Sequence, residues 1–208
     1  MKGITTVIKK VFVPHFKFKK LRNVPKNVGG LRKRAACRRG KLLDKELSEF
    51  AKTGLSDLFC VETHLVIEKL TALNLKVIDT QVYVCDTELK ICAYIDVLAI
   101  DQSSGQHIII ETKRGCHYRL CSTKNGVLKF HGEMVTDCMQ HQHQLQALLG
   151  KMLYEKTQSV SCVCCLMYVD NTNCVNIPEE HFKVQVSQQA LDAIRTFTIK
   201  KKHRKRQA

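Results

Sequence analysis

Acidic residues are missing from the first 41 positions of this 208-residue chain and again from 200–206, stretches that carry 14 and 6 Lys/Arg. The body between them, 42–199, holds 14 Lys/Arg against all 19 acidic residues. The formal net charge of +15 therefore sits at the two ends of a slightly acidic body. Acids gathered in the body fit metal ligands, and basic ends fit a polyanion. Long apolar runs are also lacking. None approaches the roughly 18 residues of a spanning helix, which excludes that kind of membrane protein. The opening MKGITTVIKK has no uninterrupted apolar stretch of the secretory type. Cysteine is plentiful at 11, but the number is odd and Cys85, Cys92, Cys138, Cys162 and Cys164 lie in apolar or helical runs. Free cysteine buried in this way points to a reducing, intracellular setting. Cys162-x-x-Cys165 has zinc spacing but no second pair, and strand alternation sends its two thiols to opposite faces, so it reads as core.

The length suits one domain with a sizeable core. Residues 1–39 read as a basic arm, extended or partly disordered, with Phe12, Phe16 and Phe18 scattered through it. An acid-free basic start also occurs in mitochondrial presequences, although this one is rich in Lys, poor in Ser and broken by Pro. Over 40–54 (GKLLDKELSEFAKTG), Leu43, Leu47, Phe50 and Ala51 form a helical apolar stripe. Asp44 and Glu46 flank the stripe, and either could reach inward. A second helix is expected over 56–73, then strands over 75–85, 91–100 and 107–113, a long helix over 133–156, a buried strand over 161–169 and a last helix over 187–198. The tail 200–206 (KKKHRKR) is a basic cluster of nuclear-localisation type, equally suited to nucleic acid.

The chemistry concentrates in 94–113, YIDVLAIDQSSGQHIIIETK. Two apolar runs flank the polar break DQSSGQ, the pattern of a hairpin with Gly and Ser at the reversal. Centring the turn between Ser103 and Ser104 makes facing positions sum to 207, so Asp96 faces Glu111. Opposed side chains have Cβ atoms about 4.5–5.5 Å apart, a span over which two carboxylates can share one hard cation. Alternation puts Glu111 and Lys113 on one face and Thr112 on the other. Both acids lie within apolar runs, where a charge is costly unless paired or metal-bound.

These residues resemble the PD-(D/E)XK nuclease superfamily: Asp96 matches its metal-binding Asp and Glu111-Thr112-Lys113 its Glu-x-Lys, with Ile95 in place of the preceding Pro. Arg39-Gly40-x-x-x-Asp44 is similar to the element of the lambda-exonuclease and RecB-like branch in which a Gly is followed four residues on by a metal-holding acid or His. That similarity selects Asp44, with Glu46 as the alternative. QLQAL at 144–148 looks like the branch's QxxxY element, keeping Gln144 but carrying Leu148 for Tyr. The resemblance spans about 40–200 and implies an α/β restriction-endonuclease-like core, a mixed sheet of a three-strand meander plus a further strand flanked by helices. It implies Mg2+ or Mn2+ held by Asp96, Glu111, the Thr112 carbonyl and Asp44. Lys113 would orient the attacking water and Gln144 would position its surroundings. Arg39, Arg114, Arg119, Lys124 and Gln140 are the expected contacts to DNA. The implied function is a DNA nuclease, an exonuclease processing ends in recombination, repair or replication. A structure-selective endonuclease, an RNA endonuclease and a non-catalytic nucleic-acid-binding protein with a decayed core are the alternatives.

Overall fold

A computed structural model describes residues 1–12, 26–55, 59–115, 127–130, 133–136 and 139–204. The elements in order are β1 (Lys2–Gly3), α1 (Ile4–Val7) running into a π turn (Ile8–Phe12), α2 (Lys26–Thr53), α3 (Val61–Ala72), β2 (Leu75–Asp86), β3 (Ile91–Asp101), β4 (His107–Arg114), β5 (Val127–Phe130), β6 (Glu133–Thr136), α4 (Met139–Gln158), β7 (Cys162–Val169), β8 (Cys174–Pro178), a 3-10 turn (Glu179–His181) and α5 (Gln188–Arg204). The chain is an α/β protein with an open mixed sheet flanked by helices. β2, β3 and β4 form the expected antiparallel meander, β7 joins β4 in parallel, and β8 closes that edge antiparallel to β7. A parallel neighbour requires a crossover, and α4 lies on it, between β4 and β7.

Two apolar layers cover the sheet. Leu43 and Leu47 of α2 and Val66 and Leu70 of α3 pack on Val97, Ala99, Ile108, Ile110, Cys165 and Met167. The other layer joins α1, α4 and α5 to Ile91, Ala93, Ile95, Leu98, Ile109, Cys162 and Cys164. Cys162 and Cys165 thus lie on opposite faces, as alternation requires. The eight described cysteines are all free thiols. Burial pushes Cys162 up to about 12 and Cys165 likewise to about 12. Neither is a poised metal ligand.

Four expectations need correction. Residues 2–12 are not part of an extended arm: Ile4, Val7, Ile8 and Phe12 are buried in the α4 layer, and the Lys2 ammonium donates to the Phe197 carbonyl at 3.1 Å. The spacing i, i+3, i+4, i+8 is itself a helical stripe, hidden in the sequence by the lysines between. Helix α2 begins at Lys26, not near Gly40. The long helix begins at Met139, because Glu133–Thr136 pairs with Val127–Phe130 as a two-stranded sheet. α5 extends through Arg204, so the first residues of the basic tail are helical. No described helix is long and apolar enough to cross a membrane.

Candidate active site

The hairpin of β3 and β4 sets the geometry. Asp101 Oδ1 accepts from the Ser103 amide at 2.7 Å, the Gly105 amide donates to the Asp101 carbonyl at 2.8 Å, and Gly105 takes φ +73° to close the reversal. The register that follows is Ile100 opposite His107, Ala99 opposite Ile108, Leu98 opposite Ile109 and Val97 opposite Ile110. Every pair obeys the 207 rule. The ladder then stops, and Asp96 and Glu111 are the first residues past it, where the two strands part.

Strand β3 is irregular at the same point. Ile91, Ala93 and Ile95 enter the α4 layer, but so does Leu98, while Val97 and Ala99 enter the opposite layer. The alternation therefore slips by one residue at Asp96, while the β2–β3 register runs unbroken past it (Thr80 opposite Val97, Val82 opposite Ile95) and shifts only between Val77 and Asp79. Across from it, Gln81 of β2 holds the left-handed φ of 52°, uncommon for a residue with a Cβ. Its carboxamide lies 3.4 Å from Asp96 Oδ1. Asp96 Oδ2 accepts from the Thr112 amide at 2.9 Å and from its hydroxyl at 3.2 Å. The aspartate thus stitches together two strands that have lost their backbone ladder.

Glu111 is 4 % exposed. Lys113 Nζ donates to its Oε1 and lies 3.9 Å from Asp96 Oδ2. Gln146 of α4 donates to the same Glu111 oxygen at 2.5 Å. Burial, then the neighbouring Asp96, raises Glu111 to about 8, with Lys113 opposing. Burial pulls on Lys113 in the other direction, but Glu111 and Asp96 outweigh it and hold the ammonium above its ordinary value. Asp44 of α2, half-buried, is raised to about 6 by burial and by Asp96, with Lys113 again opposing. One buried carboxylate and two half-buried ones, served by one ammonium, make a place short of positive charge.

Glu46 does not share it. Its carboxylate accepts from the Cys60 amide at 3.1 Å and from the Thr63 hydroxyl at 2.5 Å, serving donors at the start of α3. That duty separates it from Asp44. Glu46→Ala should cost about 1–3 kcal/mol of stability by stranding these buried donors, measured by urea unfolding. Any cleavage activity per folded molecule should be unaffected. A ligand role for Glu46 predicts the reverse.

Gln144 is also elsewhere. It is fully buried, and its carboxamide oxygen accepts from the Lys183 amide at 2.9 Å. Gln146, two residues on and so on the other side of the helix, reaches Glu111. The sheet-facing stripe of α4 runs through His143, which bonds the Tyr168 hydroxyl, then Gln146, then Tyr154, which bonds His107. A polar residue on that stripe was the available signal. Arg114 pairs with Glu62 of α3, and this contact, ahead of opposing burial, lowers the Glu62 carboxyl. Arg39 is exposed on α2, and Gln140 is half-buried on the first turn of α4. Arg119 and Lys124 lie outside the described residues.

Hard oxygen donors converge here, and a ion that keeps its waters needs only one or two carboxylates. Asp96, Glu111 and the Thr112 carbonyl suit Mg2+ or Mn2+, and the Lys113 ammonium already stands between the carboxylates as a cation would. Among the described residues no group of three His, Cys, Asp or Glu side chains is close enough to hold a metal ion together. Compared with models of known protein families, the chain matches none. A search of curated protein sequences finds no match either.

Proposed function

We propose that the chain is a metal-dependent deoxyribonuclease with a restriction-endonuclease-like core. The observation that carries this reading is the convergence of Asp96, Glu111 and Lys113 where β3 and β4 separate, in the order Asp then Glu-x-Lys that resembles PD-(D/E)XK nucleases. The order of strands and helices agrees with that reading, as does the excess of positive charge.

A phosphodiester is an anion, so attack on it requires that charge be neutralised as it builds. Bound Mg2+ or Mn2+ would supply Lewis acidity toward the phosphate and acidify a water ligand. Asp96, Glu111 and the Thr112 carbonyl would hold such an ion, and Asp44 would add negative potential from α2. The Thr112 amide and hydroxyl fix Asp96 Oδ2, leaving Oδ1 toward the Gln81 side. Gln146 orients Glu111 by donating to Oε1. Lys113, which donates to Glu111 in the metal-free chain, would present its ammonium to the attacking water or the phosphate. The reading favours action at DNA ends. The test is incubation of the full chain with end-labelled linear and closed circular DNA, with and without Mg2+. Mg2+-dependent loss of linear DNA alone supports an exonuclease, and cutting of the circle supports an endonuclease. DNA binding with no degradation in Mg2+ or in Mn2+ put in its place contradicts the proposal and favours a binding protein with a decayed core.

A further inference from the structure

Beside the site lies an aromatic pair that no step above uses. Tyr83 and Tyr94 face each other directly across β2 and β3. Their ring centroids are 5.2 Å apart and their planes tilted by 55°. They are 47 % and 59 % exposed. Their neighbours Val84, Ala93 and Ile95 point through the sheet into the α4 layer. The two rings therefore stand on the opposite face, the side of α2 and α3. The buried layer contributed by those helices reaches Val97 and stops, and α2 is anchored at that limit by the Thr80 hydroxyl bonding Ser48 at 2.7 Å. Beyond it the sheet face carries the tyrosines in the open. A cross-strand aromatic pair contributes to hairpin stability by itself, but that role gains from covering the rings, and these are half bare.

Their position relative to the chemistry points to an occupant. Tyr94 precedes Asp96 by two residues of one strand, roughly 7 Å at the rise of a strand. Tyr83 follows by two the Gln81 that contacts Asp96. One turn of α2 before Asp44, Lys41 is exposed, with Arg38 and Arg39 preceding it. Exposed rings two residues along the strand from Asp96, and exposed cations one turn along the helix from Asp44, supply what proteins use to hold unpaired nucleotides: bases stack on the rings and cations follow the backbone. We infer that Tyr83 and Tyr94 form a stacking platform for unpaired bases of single-stranded DNA adjoining the scissile phosphate. This deepens the nuclease reading and rests on it for the identity of the strand.

The experiment is fluorescence anisotropy of a dye-labelled single-stranded oligonucleotide with the full chain in EDTA, where no cleavage can occur. The chain has no Trp and five Tyr, so quenching of intrinsic tyrosine emission reports the contact in the same titration. Stacking is worth about 1–3 kcal/mol per base, so Tyr83→Ala/Tyr94→Ala should weaken binding at least about tenfold and remove most of the quenching. Tyr83→Phe/Tyr94→Phe keeps both rings and should bind as the natural chain does. Tyr83→Leu/Tyr94→Leu keeps apolar cover on the strands but should bind as poorly as the alanine pair. Unchanged affinity in the leucine pair, or equal losses for blunt duplex and single strand, would overturn the platform. Cleavage separates this from the function itself. Ring-dependent binding without Mg2+-dependent cutting defeats the nuclease reading and leaves the platform standing. Cutting that ignores both rings, with undiminished binding, defeats the platform alone.

Discussion

Lys113→Ala is expected to bind DNA as tightly as the natural chain while losing cleavage by about 10²–10⁴-fold, the range set by removing a positioned proton-handling group. The ammonium is the only described side-chain cation within reach of both Asp96 and Glu111, so no described neighbour can stand in for it. The substitution should be survivable. Without the ammonium Glu111 is held still further above its ordinary value and stays protonated at neutral pH, so no buried charge is stranded. Asp96→Ala should be equally inactive, for a different reason: it removes both a cation ligand and the acceptor for the Thr112 amide and hydroxyl. Cleavage of end-labelled DNA in Mg2+, read beside anisotropy in EDTA, measures both halves. Activity in Lys113→Ala equal to that of the natural chain would remove the residue from the mechanism.

The second large effect concerns pH and metal together. Glu111 titrates at about 8 in the folded chain against an ordinary 4.5, and Asp44 at about 6 against 3.8. Between the unfolded and folded values the native state binds more protons than the unfolded one, so stability falls as pH rises. The metal-free protein should therefore be favoured near pH 5 and lose stability progressively up to about pH 8. Each unit of separation is worth about 1.4 kcal/mol, and the wide gap at Glu111 makes this a slope of several kcal/mol. A cation that binds only the folded, deprotonated site opposes the trend by mass action. Added Mg2+ should raise the melting temperature little at pH 5.5 and by several degrees at pH 8.5. Glu111→Gln should flatten the metal-free slope and abolish most of the Mg2+ effect. Thermal unfolding at the two pH values checks all three. A metal-free melting temperature that rises between pH 5.5 and 8.5 by the same amount in the natural chain and in Glu111→Gln would refute the assignment.

What could be read in advance divides along a physical line. The hairpin was legible because its turn chemistry and two-residue period are local, and the facing rule fixed by Ser103 and Ser104 holds at every paired position. Strand β7 was equally clear, since a continuous apolar run needs cover on both faces. The slip of alternation at Asp96 was not legible: it lies across from Gln81 of β2, which adopts a left-handed backbone. The choice between Asp44 and Glu46 depended on tertiary contacts with Cys60 and Thr63 that no helical pattern encodes. The choice of Gln144 followed resemblance, while the helix phase set by His143 and Tyr154 turns Gln146 to the sheet. In the N-terminal segment the charge masks the periodicity. Its lysines mark a helix with one apolar side, and that side is buried. β8 was missed because Cys174–Pro178 is short and only half-buried, with little alternation to detect.

The central claim is that the gap between β3 and β4 is built to hold one divalent cation on Asp96 and Glu111. Soaking crystals of the chain with Mn2+ and collecting anomalous diffraction tests it most directly. The account predicts a single strong peak between the two carboxylates, about 2.0–2.2 Å from an oxygen of each, with the Lys113 ammonium displaced from Glu111, and no peak there in Asp96→Asn. A peak held by other residues, or Lys113 still bridging both carboxylates at saturating Mn2+, would contradict it.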